Sequence, residues 1–212
     1  MLRLPAFRYV RPRSLREAVD ILATEGERAV PMGGGTDLLP GMKRRVVSPE
    51  VVVSIRALPE LQGIHGDADR GTVIGASCTL AEVSSHPLIR QGYEALSVAA
   101  AQVATPQIRN MGTIGGNLCL DTRCTYYDMP YTWRRAMGFC LKKDGDVCRV
   151  APGSARCWAV SSSDLAPVLL VLDARVRLSG LRGERVVPIE ELYRDDGIRY
   201  LNKDPAEILT EV

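Results

Sequence analysis

The sequence predicts a mixed fold of α-helices and β-strands, of the α/β or α+β class. In two places a strand leads directly into a helix. The apolar run at residues 29–32 enters a glycine loop that is followed by a helical turn at Leu38. Residues 72–76 form a second strand, and the pattern from Thr79 to Glu82 after it is a capping box, which marks the first turn of a helix.

The N-terminal part begins with a helix and ends near Glu50. Ser14 is a preferred N-cap residue, an amphipathic pattern runs from it to Leu22, and Gly26 can end the helix. Residues 51–55 form a β-branched run and are predicted to be a buried strand. We place a boundary between two parts of the chain near residue 50.

The second part contains an irregular segment between regular elements. Residues 93–104 are alanine-rich and predict a helix that ends before Pro106. Residues 121–161 show no regular helix or strand pattern of apolar residues, which is typical of an inserted segment. A loop of that length needs an additional stabilising link to be ordered. After the insertion we predict a helix at 165–172, a hairpin of strands 174–178 and 184–187, a helical turn at 189–193 and a strand within 204–212.

Charge and hydropathy exclude several classes of partner. The chain has 27 Lys and Arg against 25 Asp and Glu, a net charge of +2, far from the basic excess of nucleic-acid-binding proteins. No run approaches the ~18 apolar residues that cross a bilayer, and residues 1–16 carry Arg and Pro in place of the apolar core of a secretion signal. We therefore expect a cytoplasmic protein that binds neither nucleic acid nor a membrane.

Two glycine loops, at residues 32–36 and 113–117, are candidates for binding a diphosphate. Backbone N–H groups approach a phosphate closely only where no Cβ intervenes, and Thr36, Thr113 and Asn117 add polar side chains. Two such loops could hold one diphosphate from both sides. Each loop alone is also compatible with a simple turn, and the chain has no Gly-x-Gly-x-x-Gly motif of the Rossmann type.

Four of the six cysteines lie within the irregular segment. Cys124, Cys140, Cys148 and Cys157 are separated by 15, 7 and 8 residues, without the Cys-x-x-Cys pairs of typical zinc or ferredoxin sites. A [4Fe-4S] cluster, a zinc ion or scattered free thiols all agree with this spacing.

Three motifs together resemble a known family. The stretches Pro-Met-Gly-Gly-Gly-Thr-Asp-Leu (31–38), Gln-Ile-Arg-Asn-Met-Gly-Thr-Ile-Gly-Gly-Asn (107–117) and Ser-Asp-Leu-Ala-Pro-Val (163–168) resemble the FAD-binding subunit or domain of the molybdenum hydroxylases, such as xanthine and carbon monoxide dehydrogenase. The resemblance covers essentially the whole chain. It implies an α+β fold of the vanillyl-alcohol oxidase type, with FAD-binding subdomains at 1–50 and 51–212. The C-terminal domain that closes over the flavin in this family is not found in these residues, and a separate chain could supply it.

The resemblance also implies the residues that contact FAD. The two glycine loops would hold the diphosphate and ribityl chain, Asp164 would be a polar anchor for the flavin, and Val103 and Leu209 would pack near the cofactor. The full implied set is Pro31, Met32, Gly33, Gly34, Gly35, Thr36, Asp37, Leu38, Val103, Thr113, Ile114, Gly115, Gly116, Asn117, Asp164 and Leu209.

The cysteine insertion, at about 119–161, resembles one in the beta subunit of 4-hydroxybenzoyl-CoA reductase. That resemblance implies a [4Fe-4S] cluster on the four cysteines, and Tyr126, Tyr127, Tyr131 and Trp133, which lie in the same segment, are expected to pack around it. It also implies partners: a ferredoxin that donates electrons, a small subunit with [2Fe-2S] clusters and a large molybdenum subunit, where the substrate reaction occurs.

Arg134 and Arg135 would be either a solvated pair or a contact for an acidic ferredoxin. The alternatives are the flavin subunit of another molybdenum hydroxylase and a zinc-stapled assembly protein without catalysis.

Overall fold

The computed structural model describes residues 2–67 and 71–212. In these residues the strands are Arg8–Val10 (β1), Ala29–Met32 (β2), Val51–Ser54 (β3), Ile64–Asp67 (β4), Gly71–Ile74 (β5), Arg175–Gly180 (β6), Gly183–Pro188 (β7) and Ile208–Glu211 (β8). The α-helices are Leu15–Glu25 (α1), Leu38–Lys43 (α2), Leu80–Ser85 (α3), Pro87–Gly92 (α4), Glu94–Gln102 (α5), Pro106–Arg109 (α6), Ile114–Leu118 (α7), Thr125–Asp128 (α8), Tyr131–Ala136 (α9) and Ala166–Val171 (α10). No helix among the described residues is long and apolar enough to cross a membrane.

The N-terminal sheet is parallel and has the order β1-β3-β2. Its central strand β3 is buried because Val51, Val52 and Val53 meet other parts of the protein on both faces. Helix α1 packs beside this sheet, and the Ser14 side chain accepts a hydrogen bond from the Glu17 N–H at its first turn. Helix α1 and the central strand form the N-terminal core, and the first glycine loop begins at the edge of this core, where β2 ends.

The larger core lies between the sheet β7-β6-β8 and helices α3, α5 and α10. Strand β8 connects the two cores because alternate side chains on a strand point to opposite faces. Ile208 packs in the N-terminal core and Leu209 packs in the larger core. The Ala76 N–H donates to the carbonyl of Thr210 in β8, and Ile74 exchanges two backbone hydrogen bonds with Val212, the next residue after β8, so this segment joins β5 to β6.

The insertion contains two short helices, α8 and α9, and otherwise irregular backbone, as the sequence predicts. Arg123 and Val160 exchange two backbone hydrogen bonds, which close the base of the insertion. Tyr127 and Cys140 pack against Val46 from the N-terminal part. The insertion therefore folds back onto the region that carries the first glycine loop.

Two expectations for the insertion are wrong in part, because Arg135 is exposed as expected and Tyr126 and Tyr127 do line the cysteine cavity. Arg134 is 2% exposed and donates to the carbonyl groups of Met129 and Arg45, so it is neither solvated nor free to contact a partner. Tyr131 and Trp133 are 49% and 61% exposed and lie outside the wall of the cysteine cavity described below.

Most regular elements match their predicted positions. Strand β2 has the predicted bounds, and Thr79 and Glu82 form both hydrogen bonds of the capping box. The short strand β1 was not predicted. The division into 1–50 and 51–212 stays a prediction, and β3, which follows residue 50, is the central strand of the N-terminal sheet.

Candidate functional site

The two glycine loops are in direct contact. Gly34 lies against the backbone of Met111 and Gly112, where an added Cβ would be 1.8 Å from the Met111 carbonyl oxygen and 3.0 Å from the Gly112 Cα. An added Cβ at Gly33 would lie 2.7 Å from Oγ1 of Thr113. Only glycine permits this approach of one backbone to another. The absence of side-chain bulk therefore allows the loops to converge.

Local hydrogen bonds fix the conformation of both loops. Gly35 has a φ of +70°, a left-handed conformation that glycine adopts readily, as the chain turns into α2. Thr113 is the N-cap of α7, and its Oγ1 accepts a hydrogen bond of 3.1 Å from the Gly116 N–H. The Leu80 N–H donates to the carbonyl of Gly112 and ties the second loop to α3.

A cleft of about 520 Å³ opens between the loops, a volume typical of a small-molecule site. Three of the residues predicted to bind FAD do not line it. Ile114 is fully buried, Gly115 packs against Ala76, and Leu209 belongs to the larger core. The predicted residues that do line the cleft are Pro31, Met32, Gly33, Gly34, Gly35, Thr36, Asp37, Leu38, Val103, Thr113, Gly116, Asn117 and Asp164.

Asn117 connects the second glycine loop to the Ser-Asp-Leu motif. Its Nδ2 donates to Asp164 at 2.9 Å, and its Oδ1 accepts from the Ser163 hydroxyl at 2.9 Å and from the Leu165 N–H at 3.1 Å. Asn117 is 6% exposed, so these bonds form largely out of water. Two motifs 47 residues apart in sequence therefore share one buried amide.

Replacing Asn117 with alanine is expected to destabilise the protein by roughly 1–3 kcal/mol, because the buried Leu165 N–H loses its side-chain acceptor. The free energy of unfolding in urea measures this effect. Asn110→Ala, at an exposed position of the same loop region, is the matched control and should change stability by less than ~0.5 kcal/mol. Equal stability of the two variants would show that the buried amide has no structural role.

A cluster of charged side chains at the cleft was not predicted. Arg123, at the start of the insertion, forms an ion pair with Asp37 of the first glycine loop. It also lies 3.5 Å from Asp128, which pairs with Arg44 at 3.1 Å. Asp37 therefore forms an ion pair with the insertion, in addition to its predicted place beside the cofactor.

The far wall of the cleft includes Asp121, Tyr127 and Tyr200. The Tyr127 hydroxyl donates to Asp121 at 2.8 Å. Burial and the carboxylate of Asp121 raise the pKa of both tyrosines far above the ordinary value, so both remain neutral phenols.

The four cysteines of the insertion line one small cavity. Cys140, Cys148 and Cys157 are buried, Cys124 is partly buried, and all four are free thiols. The other residues around the cavity include Tyr126, Tyr127, Leu141, Lys142, Arg149 and Ala159. The fold thus brings together four residues that span 34 positions of irregular chain.

The environment of Cys148 favours its thiolate form. Burial raises the pKa of the thiol, but hydrogen bonds from the backbone N–H groups of Ala151, Trp158 and Val150 lower the pKa below its ordinary value. A thiolate is the form that binds metals. At Cys157, in contrast, burial raises the pKa, and the positive charge of Lys142 acts against that rise.

Among the described residues, no group of three or more His, Cys, Asp or Glu side chains is arranged to hold a metal ion. The ligands of a single ion must all reach one point. In a [4Fe-4S] cluster each cysteine binds a different iron, so the four sulfur atoms surround a larger volume.

Comparison with known proteins shows what this chain is similar to. Residues 5–212 match the family model described as the FAD binding domain in molybdopterin dehydrogenase. The chain is 31% identical over 211 residues to the nicotinate dehydrogenase FAD-subunit of Eubacterium barkeri, covering 97% of this chain and 57% of that protein. It is 30% identical over 209 residues to the carbon monoxide dehydrogenase medium chain of Afipia carboxidovorans, covering 98% and 58%.

The fold also matches solved structures. Carbon monoxide dehydrogenase from Hydrogenophaga pseudoflava superposes with a TM-score of 0.73 at 28% identity, over 99% of this chain and 58% of that one. The chain therefore spans less than two thirds of the length of these relatives.

Proposed function

The chain belongs to the family of FAD-binding domains of molybdopterin dehydrogenases, and we propose that it is the flavin-binding part of an electron-transferring oxidoreductase complex. The observation that carries this proposal is the contact between the two glycine loops at the edge of one cleft. FAD exchanges electrons singly or in pairs and can therefore link one-electron carriers to two-electron chemistry.

Different residues of the cleft contact different parts of FAD in this proposal. The backbone N–H groups around Gly34 bind the diphosphate, and the hydroxyl of Thr36 adds a donor. Gly116, whose own N–H donates to Thr113, lines the same cleft without a side chain. Asn117 and Asp164 form the polar wall that orients the flavin end. Val103, 8% exposed at the C-terminal end of α5, contributes an apolar surface.

We further propose that Cys124, Cys140, Cys148 and Cys157 hold a [4Fe-4S] cluster. Their convergence on one cavity and the N–H groups directed at Cys148 support this assignment. Tyr127 lines both this cavity and the cleft, so one side chain borders both proposed centres. Such proximity suits electron transfer between them.

The cysteine insertion favours one type of enzyme within the family, the 4-hydroxybenzoyl-CoA reductase type. In that type a ferredoxin supplies electrons to this chain, and they pass to [2Fe-2S] and molybdenum subunits where the aromatic substrate is reduced. Two relatives are named as a medium chain of carbon monoxide dehydrogenase and as a subunit of the 6-hydroxypseudooxynicotine dehydrogenase complex. These names support a multi-subunit assembly. A flavin subunit of another molybdenum hydroxylase is the second candidate.

Anaerobic purification followed by an absorption spectrum and assays of iron, sulfide and zinc tests this proposal. We expect flavin absorption and about four irons per chain. Flavin without iron would support the flavin subunit of another molybdenum hydroxylase and contradict the cluster. Zinc without flavin would contradict both assignments and favour a zinc-stapled assembly protein.

A further inference from the structure

Lys142 is a buried cation in the wall between the cleft and the cysteine cavity. Its side chain is 6% exposed. The ammonium donates to Asp121 at 2.6 Å, to the Gly197 carbonyl at 2.7 Å and to the Thr122 hydroxyl. An ammonium has three donors, and all three are used. Its charge is therefore held in one position.

Two aromatic rings complete the surroundings of this charge. The Lys142 ammonium lies 4.7 Å from the centre of the Tyr127 ring and 5.3 Å from that of Tyr200, within the range of cation–π attraction. Asp121 also accepts from the Tyr127 hydroxyl. Lys142 and Asp121 thus place one positive and one negative group side by side, held by neutral hydrogen-bonding partners, while Arg149 also lines the cysteine cavity and donates to the carbonyl groups of Phe139 and Met137.

The ion pair has a direction across the wall. Asp121 lines the cleft, and Lys142 lines the cysteine cavity. Asp121 is therefore the member of the pair on the side of the proposed flavin site, and Lys142 is the member on the side of the cysteines, where its charge acts on Cys157. Because Lys142 is almost fully buried, solvent and salt screen this field less than they screen a surface pair.

We propose that the Asp121–Lys142 pair sets the difference between the reduction potentials of the two centres. This inference rests on the proposed function. Reduction adds negative charge, so Lys142 raises the potential of a cluster on its side by stabilising the reduced form, and Asp121 lowers the potential of a flavin on its side. Lys142 and Asp121 are positioning residues in this role, since they act through their field.

Midpoint potentials of the complete protein test the inference. Lys142→Met should lower both potentials, with the larger shift at the cluster. Asp121→Asn removes the charge, keeps one carbonyl oxygen as the acceptor for Lys142 and turns an NH2 group toward the Tyr127 hydroxyl, which can accept from it. It should raise both potentials, with the larger shift at the flavin. Optical titration reports the flavin, and electron paramagnetic resonance reports the cluster.

Lys143→Met is the matched control for charge. The Lys143 side chain is 35% exposed, and it pairs with Asp144 at 3.5 Å outside both cavities. The flavin and cluster potentials of Lys143→Met should therefore stay near those of the wild type. Lys142→Arg keeps the charge and should also keep both potentials near wild-type values. If methionine prevents folding, the shifts in Asp121→Asn still test the inference.

Shifts of the same sign in Lys142→Met and Asp121→Asn, or no shift in either, would overturn the inference. Loss of iron or flavin in Lys142→Arg, with unchanged potentials in Asp121→Asn, would assign the pair to packing alone. Wild-type protein with flavin but no iron would overturn the cluster assignment and this inference with it, and would leave the flavin assignment in place. Wild-type protein with neither group would overturn both proposals.

Discussion

Gly34→Ala is expected to weaken FAD binding by about 10- to 100-fold. The added Cβ would lie 1.8 Å from the carbonyl oxygen and 2.5 Å from the carbonyl carbon of Met111, so one of the two loops must move. The obstacle is backbone, which cannot rotate away as a side chain does. Overpacking of this kind typically costs ~1–3 kcal/mol, and a loss of ~1.4 kcal/mol in binding corresponds to a tenfold change in affinity. Titration of the flavin-free protein with FAD measures the effect.

Gly153→Ala is the matched control. Its added Cβ has no heavy atom within 4 Å, so the same change of residue should leave FAD affinity and folding unaltered. Circular dichroism and thermal unfolding of Gly34→Ala separate a local change in the cleft from global unfolding. Wild-type FAD affinity in Gly34→Ala would show that the diphosphate does not bind where the loops meet, and would remove the main support for the flavin site.

The sequence predicted the elements whose signals are local. The capping box at Thr79, the strand Ala29–Met32 and the irregular insertion need only neighbouring residues to be recognised, because capping and alternation act over a few positions. Thr113 was predicted as a hydroxyl donor to the diphosphate, and in the structure its hydroxyl also accepts from the N–H of Gly116. The cleft therefore lies where short-range signals place its two loops.

The parts that the sequence could not predict depend on long-range contacts. Arg123 and Asp37 are 86 residues apart, and no local pattern links an arginine of the insertion to the glycine loop. Ile114 and Gly115 belong to the motif yet pack away from the cleft, because one turn of helix has an inner and an outer face. A family motif gives the position of a site along the chain but not the direction of each side chain.

The same reasoning explains why Lys142 was missed. Its neighbours in sequence, Leu141 and Lys143, give no reason to expect a buried charge. Burial follows from Asp121, Thr122 and Gly197, which come from distant parts of the chain and together satisfy the ammonium. Only the folded insertion creates the wall that separates the cleft from the cysteine cavity.

Cys148→Ser is expected to abolish stoichiometric iron binding while FAD binding is retained. Serine has nearly the same size but cannot supply a thiolate at neutral pH, and the N–H groups of Ala151, Trp158 and Val150 would then face a neutral hydroxyl. Cys148 lines only the cysteine cavity, so the glycine loops keep their geometry. Iron and sulfide assays on anaerobically purified protein measure the loss, and the flavin spectrum shows whether the cleft is intact.

Cys78→Ser separates the loss of a ligand from the loss of a buried thiol. Cys78 is 3% exposed, lies in the larger core outside the cavity and contacts the Gly63 carbonyl through its sulfur. It should therefore keep about four irons per chain, like the wild type. Equal iron content in the two serine variants would contradict the assignment of Cys148. Because a cluster that staples an irregular segment also contributes to its folding, Cys148→Ser should make the insertion more sensitive to proteolysis than Cys78→Ser, and equal cleavage rates would mean that the insertion folds without metal.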